Sequence, residues 1–184
     1  MVLNRQKRII AIAAAVAVIL MVPLVGMQFS NEVDWGFFDF VFAGTILFGT
    51  GLAYELISSR ASNKTAYKVA CGIGLGACLL LVWINAAVGI IGDGPANMMY
   101  GGVLVVGFIG TIIARLRPQG MAFTLFAMAI AQVLVPVIAL VLGISDFAPG
   151  VLQVFGLNAF FAALFVGSAL LFMQASENSK NSSN

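Results

Sequence analysis

Histidine is absent from the 184 residues of this chain, and charged residues make up only 9% of it. The first absence removes imidazole-ligated haem, histidine-bound zinc or copper, and any Ser-His or Cys-His catalytic pair. The second removes the water-soluble fold classes, in which roughly 25% of residues are charged. With 61% hydrophobic residues and a mean hydropathy of +1.07, the chain cannot cover a water-facing surface. Cysteine is scarce as well. Cys71 and Cys78 are the two present, seven residues apart in one apolar stretch. On a helix that is two turns along one face, too far for a mutual disulfide, so they read as small packing residues. A net charge of +2 offers no electrostatic footprint for nucleic acid. There is no P-loop, no GxGxxG and no acidic metal cluster. The sequence therefore predicts no catalytic set, no cofactor and no metal.

What the chain does have is long apolar runs. Six can be drawn, at about 9–29, 37–57, 69–91, 98–114, 120–143 and 151–174. A spanning helix needs ~20 residues, which all six approach, and such runs are too long for barrel strands. The expected fold is all-α and polytopic: one six-helix transmembrane domain over 1–174, followed by a disordered Ser/Asn-rich cytoplasmic tail over 175–184. The first run follows a basic segment, as in a signal peptide, but it is long and no clean small-x-small cleavage site follows, so it reads as a retained span.

The sparse charges orient this threading. Arg5, Lys7, Arg8, Arg60, Lys64, Lys68, Arg115, Arg117 and Lys180 all fall on one side of it, and they are every basic residue in the chain. Lysine and arginine are retained in cytoplasmic segments, so both termini are expected inside a bacterial inner membrane. Glu32, Asp34, Asp39, Asp93 and Asp146 fall on the outer side, and Glu55 and Glu177 on the inner. Glu55 is expected to form an interfacial ion pair among Arg60, Lys64 and Arg115. Trp35, Phe37, Phe38 and Tyr100 suit an outer aromatic belt and Tyr67 an inner one.

The runs also suggest three copies of a helical hairpin. Odd segments carry Val22-Pro23-Leu24, Val82-Trp83-Ile84 and Val135-Pro136-Val137. Even segments open on Asp39, Asn97 and Asn158, each followed by an aromatic and small residues, then by Gly49, Gly107 or Gly167. Asp or Asn near a helix start caps free backbone N–H groups, and Asp also complements the positive helix end. The sharper alternative is a ring of these residues around a central opening.

Polar residues within the spans are the candidate functional positions, because an amide in hydrocarbon must find a partner. They are Asn85, Gln132, Thr45 and Thr50, with Asn97 and Asn158 from the helix openings and Ser168 in the last span. Two roles stay open for them: bonds that join helices, or the lining of a solute path. No carboxylate sits at mid-membrane depth, which argues against proton relay and ion-coupled pumping. Glycines crowd the second to fourth spans, as in Gly72, Gly74, Gly76, Gly101, Gly102, Gly107 and Gly110, and predict close helix packing. Pro23 and Pro136 predict helix kinks.

The stretch Leu81-Val82-Trp83-Ile84-Asn85-Ala86-Ala87-Val88-Gly89-Ile90-Ile91-Gly92, with Ala96-Asn97-Met98-Met99-Tyr100 and Arg115-Leu116-Arg117-Pro118-Gln119-Gly120-Met121-Ala122, resembles a group of small uncharacterised bacterial inner-membrane proteins. The resemblance spans the second to fifth runs and implies a setting, not an activity. Two functions are thus expected from the sequence. One is a non-enzymatic accessory or assembly subunit, or a self-associating scaffold, whose partners are the lipid bilayer and either further copies of itself or another membrane subunit. The other is a channel or facilitator for a small neutral solute.

Overall fold

The computed structural model describes residues 5–29, 34–59, 65–92, 94–143, 147 and 150–181. Among these the architecture is all-helical: α1 (Arg5–Phe29), α2 (Phe37–Ser58), α3 (Thr65–Val88), α4 (Met99–Ala114), α5 (Pro118–Val141) and α6 (Val151–Asn181), with a short 3-10 turn at Pro95–Met98 before α4. Six helices are long and apolar enough to cross a membrane. Exposed large side chains such as Ile10, Val22, Phe108, Ile113 and Val141 run along them. In water such a surface would associate; in a bilayer it meets acyl chains.

Local chemistry fixes the helix ends. Gly36, extended before α2, donates its N–H to Asp39 Oδ2 at 2.8 Å, so Asp39 caps the first turn as its sequence position suggests. Between α4 and α5, Arg115 and Leu116 take φ of 49° and 59°, and Arg117 returns to extended backbone before Pro118 in the first turn of α5. Proline is suited there because it lacks the N–H that a first turn leaves unpaired anyway. At the other end α6 continues through Asn181, well into the stretch expected to be a disordered tail. Its side of the unit is held by Phe172 and Ala175, both buried, with Phe172 edge-on to Tyr67 at 4.9 Å.

By packing, the chain divides into two compact units, Met1–Ser59 and Arg60–Asn184. In the first, α1 packs on α2. Gly44 and Gly51 face Leu20 and Ile12 so closely that a Cβ at Gly51 would lie 2.6 Å from Ile12 Cγ2. Arg8 pairs with Glu55 at 3.0 Å. Among the described residues, the partner of Glu55 is thus a residue of α1. Arg60 and Lys64 lie outside the described residues, as do Glu32, Asp93 and Asp146. A half-exposed pair of this kind contributes little stability.

In the second unit the spatial order differs from the chain order. α3 packs on α6, α6 on α5, and α5 on α4, while α3 and α4 touch little although they are consecutive. The three expected hairpins are therefore not packed alike. Buried positions on α6 advance in alternating steps of three and four: Val154, Asn158, Phe161, Phe165, Ser168, Phe172 and Ala175. Met121, Leu125, Met128, Gln132, Val135 and Ala139 repeat the pattern on α5, and Tyr67, Ala70, Gly74, Ala77 and Leu81 on α3. This is the seam of coiled-coil packing, set here by tight fit, because lipid supplies no hydrophobic drive between helices. Gly107 lies under Met128, and Gly110 under Thr124, where a Cβ would come within 2.5 Å of Thr124 Cγ2.

Hydrogen bonds lock the seam at its basic end. Tyr67 donates its hydroxyl to Leu116 O at 2.8 Å, tying α3 to the α4–α5 turn. Ser168 Oγ donates to Ala70 O at 2.7 Å, crossing from α6 to α3. Ser168→Ala is expected to lower stability by about 1 kcal/mol, the scale of one interhelical bond in a membrane. A reversible unfolding titration in mixed micelles reads this, and Gly76→Ala is the control: nothing lies within 4 Å of its added Cβ, so it should be neutral or mildly stabilising.

Candidate functional site

Away from the basic end, the second unit carries a buried polar network built from three helices. Gln132 on α5 and Asn158 on α6 both stand at seam positions, which is why both are wholly enclosed, at 0% and 1% exposure. Gln132 Nε2 donates to Asn158 Oδ1 at 2.9 Å. Asn158 Nδ2 donates to Tyr100 Oη at 2.9 Å and to Val154 O, one turn back on its own helix, at 2.8 Å. Tyr100, the first-turn residue of α4, is 1% exposed and reaches across to α6. The chain of contacts α5–α6–α4 thus runs through one asparagine. Gln132 Oε1 is buried within it without a hydrogen-bond partner.

A second cluster shapes the connection between α3 and α4. Asn97 Oδ1 accepts the N–H groups of Ile90 at 2.8 Å and Ile91 at 2.9 Å, and its Nδ2 donates to Gly92 O at 2.6 Å and Gly94 O at 3.3 Å. One side chain therefore satisfies most of a loop whose backbone would otherwise be buried with open polar groups. Asn85 Nδ2 donates to Asn97 O at 3.2 Å, hanging α3 onto the same loop, and Asn85 Oδ1 is buried without a partner.

The six candidates of the sequence thus take three different places. Gln132 and Asn158 bond each other directly. Asn85 and Asn97 form the loop cluster. Thr45 and Thr50 belong to α2 in the first unit, where each hydroxyl donates to the carbonyl one turn back, Val41 O and Ile46 O, both at 2.7 Å. A threonine bonded to its own helix has spent its donor there. Asp39, Asn97 and Asn158, aligned by the hairpin pattern, also separate in role: a helix cap, a loop organiser and a mid-helix cross-link. Asn158 does not open its helix, because α6 begins at Val151, two turns earlier.

Two residues of the networks are not among the six candidates: the sequence assigns Tyr67 to an aromatic belt, and Tyr100 to a belt and to the helix-opening pattern. Tyr100 and Tyr67 are both buried, at 1% and 2%, and both use their hydroxyls between helices. The flanking Gly101 and Gly102 were the available signal for Tyr100, since small neighbours allow a ring to turn inward. Phe37 and Phe38 are strongly exposed and Trp35 is half-buried. Cys71 and Cys78 are free thiols on α3. Among the described residues no group of three metal-ligating side chains is gathered. Comparison with known proteins finds no matching family model, no similar curated protein and no similar solved structure.

Proposed function

We propose that this chain is a non-enzymatic membrane protein, an accessory or assembly subunit or self-associating scaffold, with both termini on the cytoplasmic side of a bacterial inner membrane. The observation that carries the reading is the Gln132–Asn158–Tyr100 network: the polar side chains best placed to serve a solute are bonded to one another, helix to helix. A buried amide at a seam position fixes register and partner choice between helices. The α1–α2 unit adds to this reading, because no residue of α1 is buried and only Ala43 and Ser58 of α2 are. Its apolar faces suit lipid or a neighbouring subunit. The orientation rests on the distribution of lysine and arginine in the sequence. The hairpin repeat belongs to the same reading as a relation between sequences whose packing has diverged.

Light scattering of the detergent-solubilised protein, with mass spectrometry of what co-purifies, tests this. A homo-oligomer or a stoichiometric membrane partner is the expected result; a strict monomer without a partner overturns it.

One observation favours a second reading, a facilitator for a small neutral solute. Gln132 Oε1 and Asn85 Oδ1 are buried acceptors without donors among the described residues, as a hydrogen-bonding solute would require. Proteoliposome flux of glycerol or urea separates the two. The scaffold reading expects no flux above protein-free vesicles, and flux that Gln132→Leu abolishes would establish the facilitator.

A further inference from the structure

The basic end of the four-helix unit holds a groove that the reading above does not use. It lies open between the last turns of α4 and the first turns of α5, with Ile113, Arg117, Gln119 and Phe123 all exposed along it, and has a volume of about 530 Å³. Its walls differ in character. Arg117 and Gln119 supply polar groups, while Ile113 and Phe123 supply apolar surface, with Gly110 and Gly120 between them. The two glycines hold the helices together: a Cβ on Gly120 would lie 2.9 Å from Ala114 Cα, so no side chain fills this stretch of wall.

The charge there has no paired carboxylate among the described residues. The ion pair found among the described residues joins Arg8 to Glu55, and neither Arg115 nor Arg117 has a carboxylate partner among them. The Tyr67–Leu116 bond brings the start of α3, with Lys68, to this same end. Against these three cations the described side chains at this end offer Glu177, which is exposed near the end of α6. Arg117 is also the N-cap residue of α5, preceding Pro118, and its side chain makes no capping bond, so its charge belongs to the same stretch of chain as the positive end of α5. A guanidinium with no carboxylate partner among the described residues, a helix start and an apolar wall meeting along one interhelical groove match an amphiphile with an anionic head. Basic pockets between transmembrane helices on the cytoplasmic side are suited to such headgroups.

We propose that this groove binds an anionic phospholipid, its phosphate on Arg117 and the start of α5 and an acyl chain against Ile113 and Phe123. The proposal rests on the reading of these helices as membrane spans with the basic end in the cytoplasmic leaflet. It does not require that the chain be a scaffold.

Native mass spectrometry of the full chain in neutral detergent tests it, with palmitoyl-oleoyl phosphatidylglycerol and phosphatidylcholine titrated separately. The expected result is preferential retention of phosphatidylglycerol. Arg117→Gln weakens that retention about fivefold, the effect of one basic residue at an anionic surface. Arg117→Lys keeps most of it, and Arg5→Gln on α1, which does not line the groove, leaves it unchanged. Circular dichroism confirms that each variant is helical. Equal retention of phosphatidylcholine, or an Arg117→Gln protein that binds phosphatidylglycerol as well as the parent, overturns the proposal. So does displacement of the lipid by millimolar inorganic phosphate, which would make the site one for a free anion. A monomeric protein that still selects phosphatidylglycerol would remove the scaffold reading and leave this site standing.

Discussion

Asn158→Leu is expected to be the most destabilising polar substitution in the chain, by about 2–4 kcal/mol, from the loss of up to three bonds at the scale measured between membrane helices. The substitution is close to isosteric, so volume is not the cause. It strips the acceptor from Gln132 Nε2, the donor from Tyr100 Oη and the extra donor from Val154 O, all in a region closed to water. An amide left unpaired there carries its full desolvation penalty, whereas removing both amides leaves no orphaned amide, only the Tyr100 hydroxyl. The double variant Gln132→Leu/Asn158→Leu should therefore be less unstable than the sum of its single variants, a coupling of the kind found between contacting residues. Steric trapping or a reversible micelle unfolding titration reads both values. Strict additivity of the two substitutions, or a loss below about 0.5 kcal/mol for Asn158→Leu, would show that the network joins nothing, since even one interhelical bond is worth more.

Gly89→Ala should cost a similar amount, about 3 kcal/mol, by a backbone mechanism that combines left-handed strain with a steric collision. Gly89 sits at φ +65°, and a Cβ built there would lie 2.4 Å from the carbonyl oxygen of Gly92 and 2.8 Å from Asn97 Nδ2. Neither contact can yield at low cost. The Gly92 carbonyl is backbone held by Asn97, and Asn97 is fixed by its bonds to Ile90 and Ile91. The damage should stay local to the α3–α4 connection. Hydrogen exchange should accelerate at Ile90 and Ile91 while the α5–α6 seam keeps its protection, and uniform loss of protection across both regions would contradict the mechanism. Asn97→Ala should reproduce the same local pattern, because it removes the acceptor for the same two amides.

Much of the architecture was legible from hydropathy alone. The run at 37–57 corresponds to a helix at Phe37–Ser58, and the run at 151–174 starts with α6 at Val151. Apolar length sets these limits, and proline and glycine sharpen them, as Pro118 does at the start of α5. The end of α6 was not legible, because a Ser/Asn-rich composition favours disorder and takes no account of Phe172 and Ala175 packed immediately before it. The polar candidates were legible as residue types, since an amide within a span always demands a partner. Their partners were not. Gln132 and Asn158 are 26 positions apart, and Tyr100 and Asn158 are 58 apart, so no local pattern relates them. Thr45 and Thr50 look equally available in sequence, yet each turns back on its own helix.

By itself the sequence determined the solvent of this protein, the number of its spanning helices and their approximate ends, because the cost of placing charge in hydrocarbon and the length of a span depend on composition along one stretch of chain. It could not determine which face of each helix turns inward. In a soluble helix the polar face marks the outside, but these helices are apolar all round, so lipid-facing Ile113 and seam-facing Leu125 look alike. The tertiary structure decided that α3 packs mainly on α6 and little on α4, that two amides and a tyrosine meet in one buried layer, and that an arginine with no carboxylate partner among the described residues borders an open groove. Those outcomes depend on shape complementarity between helices distant in sequence, which is the property that packing in a membrane selects and that hydropathy does not record.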